Sequence, residues 1–109
     1  MRLLAFGDSL TAGYHASGNA FAPWAPLLCK LLGADKCDHV GMSGFTSQQL
    51  VDSMSVSSVE DVVPRAWPGL KHKLQIEGPY DVVLIMYAIH LSGRSYLFVC
   101  AVKATDFWN

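Results

Sequence analysis

Charge is scarce in this chain, and the little there is nearly cancels. Eight Lys and Arg stand against nine Asp and Glu, charged residues make up 16% of the sequence, and the formal net charge is −1. Soluble domains usually carry about 25% charged residues. Such a balance supplies no electrostatic grip on nucleic acid or on an anionic lipid surface, so neither is expected as a partner. Cysteine is also sparse. Cys29, Cys37 and Cys100 form no CxxC pair, and an odd count argues against both a disulfide framework and a zinc site. Cys29 and Cys100 lie in apolar stretches and read as free buried thiols. The longest apolar run, residues 82–89, is far short of the ~20 needed to span a bilayer. No repeat, low-complexity tract, metal-ligand spacing or cofactor fingerprint is visible, so no cofactor is expected. The first strand begins near Arg2 and leaves no room for a secretory leader, which makes the cytoplasm the expected compartment.

What is present suits a folded core. The apolar share is 51% over 109 residues, within the ~100–150 of one ordinary domain. Leu3 to Phe6 reads as a short buried strand. Phe21, Trp24, Leu28 and Leu31 recur at helical spacing and predict one apolar helix face, with Pro23 and Pro26 near its first turn and Gly33 as its stop. Residues 38–41 form a weak second strand. Thr46-Ser47-Gln48-Gln49 is a capping box, and a helix through Leu50, Val51 and Met54 should follow. Ser57-Ser58-Val59-Glu60 has the same form and predicts a short helix ending before Pro64. Residues 68–77 make a further helix. Arg65, Lys71, His72 and Lys73 read as a solvated face rather than a binding patch.

Residues 82–86 are continuously apolar, as in a strand covered on both faces of a parallel sheet. Strand, helix, strand, helices, strand is the pattern of a doubly wound α/β domain. The run of residues 96–102 fits a fourth strand or a buried helix equally well. Unless that run pairs beside residues 82–86, the third strand keeps an open apolar edge that invites self-association.

The chemistry-bearing feature is Phe6-Gly7-Asp8-Ser9-Leu10-Thr11, directly after the first strand. A serine there sits at the carboxyl edge of the sheet, where α/β proteins place their ligand crevice. Gly, Asp and Ser are also ordinary turn residues, and Asp8 reads as bonding its own turn. The segment Arg2-Leu3-Leu4-Ala5-Phe6-Gly7-Asp8-Ser9-Leu10-Thr11-Ala12-Gly13-Tyr14 resembles the first block of the GDSL, or SGNH, hydrolases. Val40-Gly41-Met42-Ser43-Gly44-Phe45-Thr46 is similar to their second block, and Gly78-Pro79-Tyr80-Asp81 with the following strand resembles the approach to the third. The resemblance covers residues 1–86. It implies a serine esterase or lipase on a flavodoxin-like sheet, with Ser9 as nucleophile and the N–H groups of Ser9 and Gly44 as oxyanion donors. The substrate implied is a small-molecule ester.

The match ends after Met86. The family continues with Gly-x-Asn-Asp, whereas this chain reads Tyr87-Ala88-Ile89-His90-Leu91-Ser92-Gly93. The family's closing Asp-x-x-His is also missing, and Asp106-Phe107-Trp108-Asn109 imitates its spacing only by coincidence. Residues 87–109 thus read as a divergent tail on a domain truncated after its third strand. His15, His39, His72 and His90 are the only histidines, and none has a base role assigned by a motif. The expectation is an incomplete ester hydrolase, weakly active or inactive. The same residues also fit a small flavodoxin-like module whose Gly-Asp-Ser loop holds an anion without catalysis.

Overall fold

A computed structural model describes residues 1–15, 20–21, 23–63 and 65–103 of the chain. Its centre is a four-stranded mixed sheet in the order β4-β1-β7-β8. The strands are β1 (Arg2–Gly7), β4 (Lys36–Gly41), β7 (Val82–Leu91) and β8 (Arg94–Lys103). β1 runs parallel to both β4 and β7, with Leu3 opposite Cys37 and Val82, and Gly7 opposite Gly41 and Met86. β1 is buried on both faces, which explains why Leu3-Leu4-Ala5-Phe6 is apolar without alternation.

The tail is a strand. β7 continues through residues 87–91, turns at Ser92 and Gly93, and pairs antiparallel with β8 from Val82↔Lys103 to Leu91↔Arg94. The outer side of β7 is therefore covered, and the sheet is mixed rather than parallel throughout.

Two clusters flank the sheet. On one face Leu4, Phe6, Val40 and Val83 pack with Met42, Leu50, Leu70 and Tyr80, supplied in part by α3 (Ser47–Asp52) and α4 (Leu70–Glu77). On the other, Leu3 and Ala5 pack with Ala25 and Cys29 of α2 (Ala25–Leu32). The remaining elements are the one-turn α1 (Ser9–Ala12) and the two-residue strand pairs β2 (Tyr14–His15) with β3 (Ala20–Phe21) and β5 (Val59–Glu60) with β6 (Ala66–Trp67).

Local chemistry accounts for α3. The Thr46 side chain accepts from the Gln49 N–H, and the Gln49 side chain accepts from the Thr46 N–H at 2.8 Å, closing the expected capping box. Three other expectations need correction. Residues 57–60 do not start a helix: Val59 and Glu60 pair with Trp67 and Ala66. The cause is the downstream Asp61, whose carboxylate accepts the Val63 and Arg65 N–H groups and bends the chain into a hairpin instead.

α2 starts at Ala25 rather than Phe21, which lies in β3, and its buried side is Ala25 and Cys29. Leu31 is 75% exposed. Small side chains let the helix approach the sheet, so the leucine stripe faces outward. Finally, Cys29 is no free thiol. It forms a disulfide with Cys37, Cα to Cα 6.0 Å, stapling α2 to the start of β4. Cys100 keeps its free thiol and is only half-buried.

Candidate functional site

Parallel pairing decides what meets at the carboxyl edge of the sheet. β1 ends at Gly7 and hands the chain to Asp8 and Ser9. β4 ends at Gly41, level with Gly7, and hands it to Met42, Ser43 and Gly44. Ser9 and Gly44 thus follow neighbouring strands on one edge. The Met42 N–H continues the ladder to the Gly7 carbonyl at 2.8 Å.

The turn after β1 is packed backbone against backbone. The Asp8 carbonyl accepts the Thr11 and Ala12 N–H groups at 3.1 and 3.2 Å, forming α1. The Thr11 hydroxyl donates to the Met86 carbonyl at 3.2 Å and ties α1 to β7. A Cβ on Gly7 would lie 1.8 Å from that same carbonyl oxygen, so no larger residue fits there. Asp8 and Thr11 are buried, and Ser9 is half-buried.

The Gly44 loop is held from a different part of the chain. Buried Asp61 accepts four donors: the N–H groups of Ser43 (3.1 Å), Val63 (3.1 Å) and Arg65 (2.9 Å), and the Trp67 indole N–H (3.0 Å). Burial alone would push this carboxyl up. The four donors outweigh it and hold the pKa below the ordinary aspartate value. The Val62 N–H returns a bond to the Ser43 carbonyl at 3.2 Å. Gly44 itself has φ +79°, and a Cβ there would meet the Val62 methyls at 2.5 and 2.7 Å. Glycine is required at this position on both counts.

Two of the four histidines, His39 and His72, stand away from this edge. His15 lies in β2, and His90 lies in β7 paired with Ser95. His39 and His72 line a cavity of about 380 Å³ between β4, β6 and α4, together with Ser57, Trp67, Lys73 and Glu77. Neither Ser9 nor Gly44 borders that cavity. Burial, then the Arg65 charge, hold the His39 pKa below its ordinary value against the opposing Asp38. Beside it, Asp38 accepts the Tyr80 hydroxyl and lies 3.6 Å from Lys36 and 4.0 Å from Lys73. Asp106 and Asn109 lie outside the described residues. Among the described residues no cluster of His, Cys, Asp and Glu has the arrangement of a metal site, and no helix is long and apolar enough to cross a membrane.

No family model matches the chain, and neither a curated protein nor a solved structure is found to be similar to it.

Sequence reasoning missed Asp61, the residue on which the Gly44 loop hangs. The local signal was present: an aspartate three residues before Pro64, in a segment where side-chain-to-backbone bonds compete with helix. Its bond to Ser43 spans 18 residues and has no local signature.

Proposed function

We propose that residues 1–86 are the front half of a GDSL-type serine ester hydrolase on a flavodoxin-like arrangement, and that the whole chain turns esters over slowly or not at all. One observation carries this reading: the Gly7↔Gly41 register sets Ser9 and the glycine of the Val40–Thr46 segment past the ends of adjacent parallel strands. An acyl-transfer site needs that proximity. The serine Oγ attacks the ester carbonyl carbon, and the carbonyl oxygen, becoming an oxyanion, requires backbone N–H donors such as those of Ser9 and Gly44.

The family's second half of the chemistry has no matching motif in the sequence after Met86. Attack requires a base to take the hydroxyl proton and return it to the leaving alkoxide. The stretch that would turn into an asparagine-bearing loop continues instead as β7, and no motif assigns a histidine to Ser9. Loss of one oxyanion donor typically costs ~10²–10³ in turnover. Without a base, Ser9 stays protonated near neutral pH and is a weak nucleophile.

The test has two readouts. Purified protein should hydrolyse p-nitrophenyl acetate no faster than Ser9→Ala. Excess fluorophosphonate should nonetheless deposit a slow adduct, mapped by mass spectrometry to Ser9 and absent from Ser9→Ala. A clear Ser9-dependent hydrolysis rate overturns the inactivity. Inertness of Ser9 to the phosphonate together with saturable binding of an anion such as inorganic phosphate overturns the hydrolase reading and favours a non-catalytic anion-binding module.

A further inference from the structure

The two faces of the sheet are not equally covered. Residues directly paired across strands share a face, so Ala5, Leu84 and Ala101 lie together on the α2 side, as do Gly7, Met86 and Val99. α2 covers the β1 and β4 part of that face through Ala25 and Cys29. The one-turn α1 crosses the Gly7 and Met86 end of this face, where Thr11 bonds the Met86 carbonyl, and over the rest of β7 and β8 no described helix lies on it. Ala101 is exposed, Val99 is 58% exposed, and Leu84 and Met86 are only partly buried. The opposite face of the same strands buries Val83 completely.

Beside this bare strip stands a helix that is apolar on its far side. Residues two apart on a helix are about 200° apart around its axis. Leu27 and Leu31 therefore point away from the sheet that buries Ala25 and Cys29, and they are 63% and 75% exposed. They are one turn apart and form a continuous stripe. Single exposed leucines need no explanation, but a helix stripe beside a bare sheet strip is a contiguous patch of the kind that marks an interface.

We infer that this surface docks a second copy of the chain, in a two-fold pair in which α2 of each copy lies on the β7–β8 face of the other. The patch contains both halves of a helix-on-sheet contact, which is what an isologous interface demands. Turning one copy over places two helices side by side between two sheets. Each helix then packs Ala25 and Cys29 on its own sheet and Leu27 and Leu31 on its partner's. Sheet faces in α/β domains are stable only when so layered. Leu27, Leu31, Leu32 and Val99, all more than half exposed, offer on the order of 100 Å² each, roughly half of the ~800 Å² per partner of a standard interface. Leu84, Met86 and Ala101 extend that area. None of these seven side chains is charged, and the exposed Lys103, next on the same β8 face, sets its ammonium at the margin of the contact.

The test is sedimentation of the full chain between about 1 and 100 μM, beside two variants on separate elements, Leu31→Lys and Val99→Glu. Both positions are exposed, so each variant should keep the wild-type circular dichroism. Wild type should sediment at twice the chain mass, and each variant alone should weaken association by about 100-fold. An equimolar mixture of the two variants should regain the dimer, because one of its two contacts is wild type and the other sets the introduced lysine against the introduced glutamate. Wild type that remains monomeric at 100 μM overturns the inference. So does a dimer indifferent to both variants, which would place the contact elsewhere, for example along the open edge of β8. Failure of the mixture to recover would overturn the reciprocal arrangement.

Discussion

The carboxylate of Asp61 accepts the backbone N–H of Ser43 at 3.1 Å, one residue before Gly44. Through that bond a hairpin remote in sequence fixes the loop that follows β4. Asp61→Ala should therefore do more than delete a side chain, because it leaves the buried Ser43 N–H and the Trp67 indole without their acceptor. The expected loss is about 2–4 kcal/mol, at ~1–3 kcal/mol per stranded buried donor. Asp61→Asn, which keeps one acceptor oxygen, should lose less. Urea unfolding measures both, and amide exchange at Ser43 and Gly44 should quicken in parallel.

The stability of the fold should depend on pH at both ends. Asp61 and Asp38 are held below the ordinary aspartate value of 3.8 in the folded chain. Burial opposes both shifts. Four N–H donors overcome it at Asp61, and the Tyr80 hydroxyl with the Lys73 and Lys36 charges overcomes it at Asp38. A depressed carboxyl stabilises fully above the unfolded value and ceases to as pH falls through the folded one. Stability should thus fall progressively below about pH 4, less steeply in Asp61→Ala. Tyr80 acts at the alkaline end. Burial, followed by its bond to Asp38, raises its pKa above 10.0. Its contribution is therefore complete below about pH 10 and lost at higher pH. Tyr80→Phe should flatten that alkaline limb in thermal melts taken across pH.

The Cys29–Cys37 bridge closes a short loop, with a sequence separation of 8. A constraint of that size is worth about 2–3 kcal/mol in the chain-entropy account. Reduction should lower the melting temperature by roughly 10 °C, and Cys29→Ser should reproduce the loss without reductant. Thiol titration in denaturant should find one reactive cysteine, Cys100, before reduction and three after it. Three thiols in the untreated protein would contradict the bridge. Because such bridges persist in oxidising surroundings, the same titration on protein taken directly from cells tests the cytoplasmic expectation.

Gly44 and Val62 should behave as one unit. Gly44→Ala both strains φ +79° and drives a Cβ into the Val62 methyls. A loss of about 2–3 kcal/mol is expected, of which the left-handed backbone accounts for about 1–2. Val62→Ala in the same chain should return the steric part and leave the backbone part. A double-mutant cycle with a coupling energy near zero would show that the loop moves away instead.

Some of this protein was legible in the residues. The strand Leu3 to Phe6, the Thr46 capping box, the helix ending at Glu77 and the apolar start of β7 rest on local causes: a short apolar run, a side chain bonding a backbone N–H three residues away, and a Gly-Pro stop. The elements that went astray had long-range causes. Residues 57–60 carry a helix-start pattern, yet Asp61 collects donors from residues 43, 63, 65 and 67 and turns them into a strand. The helical leucines predicted a buried face, but the sheet chose the smaller Ala25 and Cys29, and the bridge to Cys37 holds that choice.

By itself, then, the sequence determined the kinds of segment available and placed one serine just past the first strand and one glycine just before the capped helix. Only the tertiary structure decided that these two stand on one edge, because parallel register is a property of three strands at once. It also decided that residues 87–103 complete a hairpin rather than continue with a loop. An apolar run with no distinguishing period takes whichever form its neighbour offers, and the open edge of β7 offered a ladder of unpaired N–H and C=O groups.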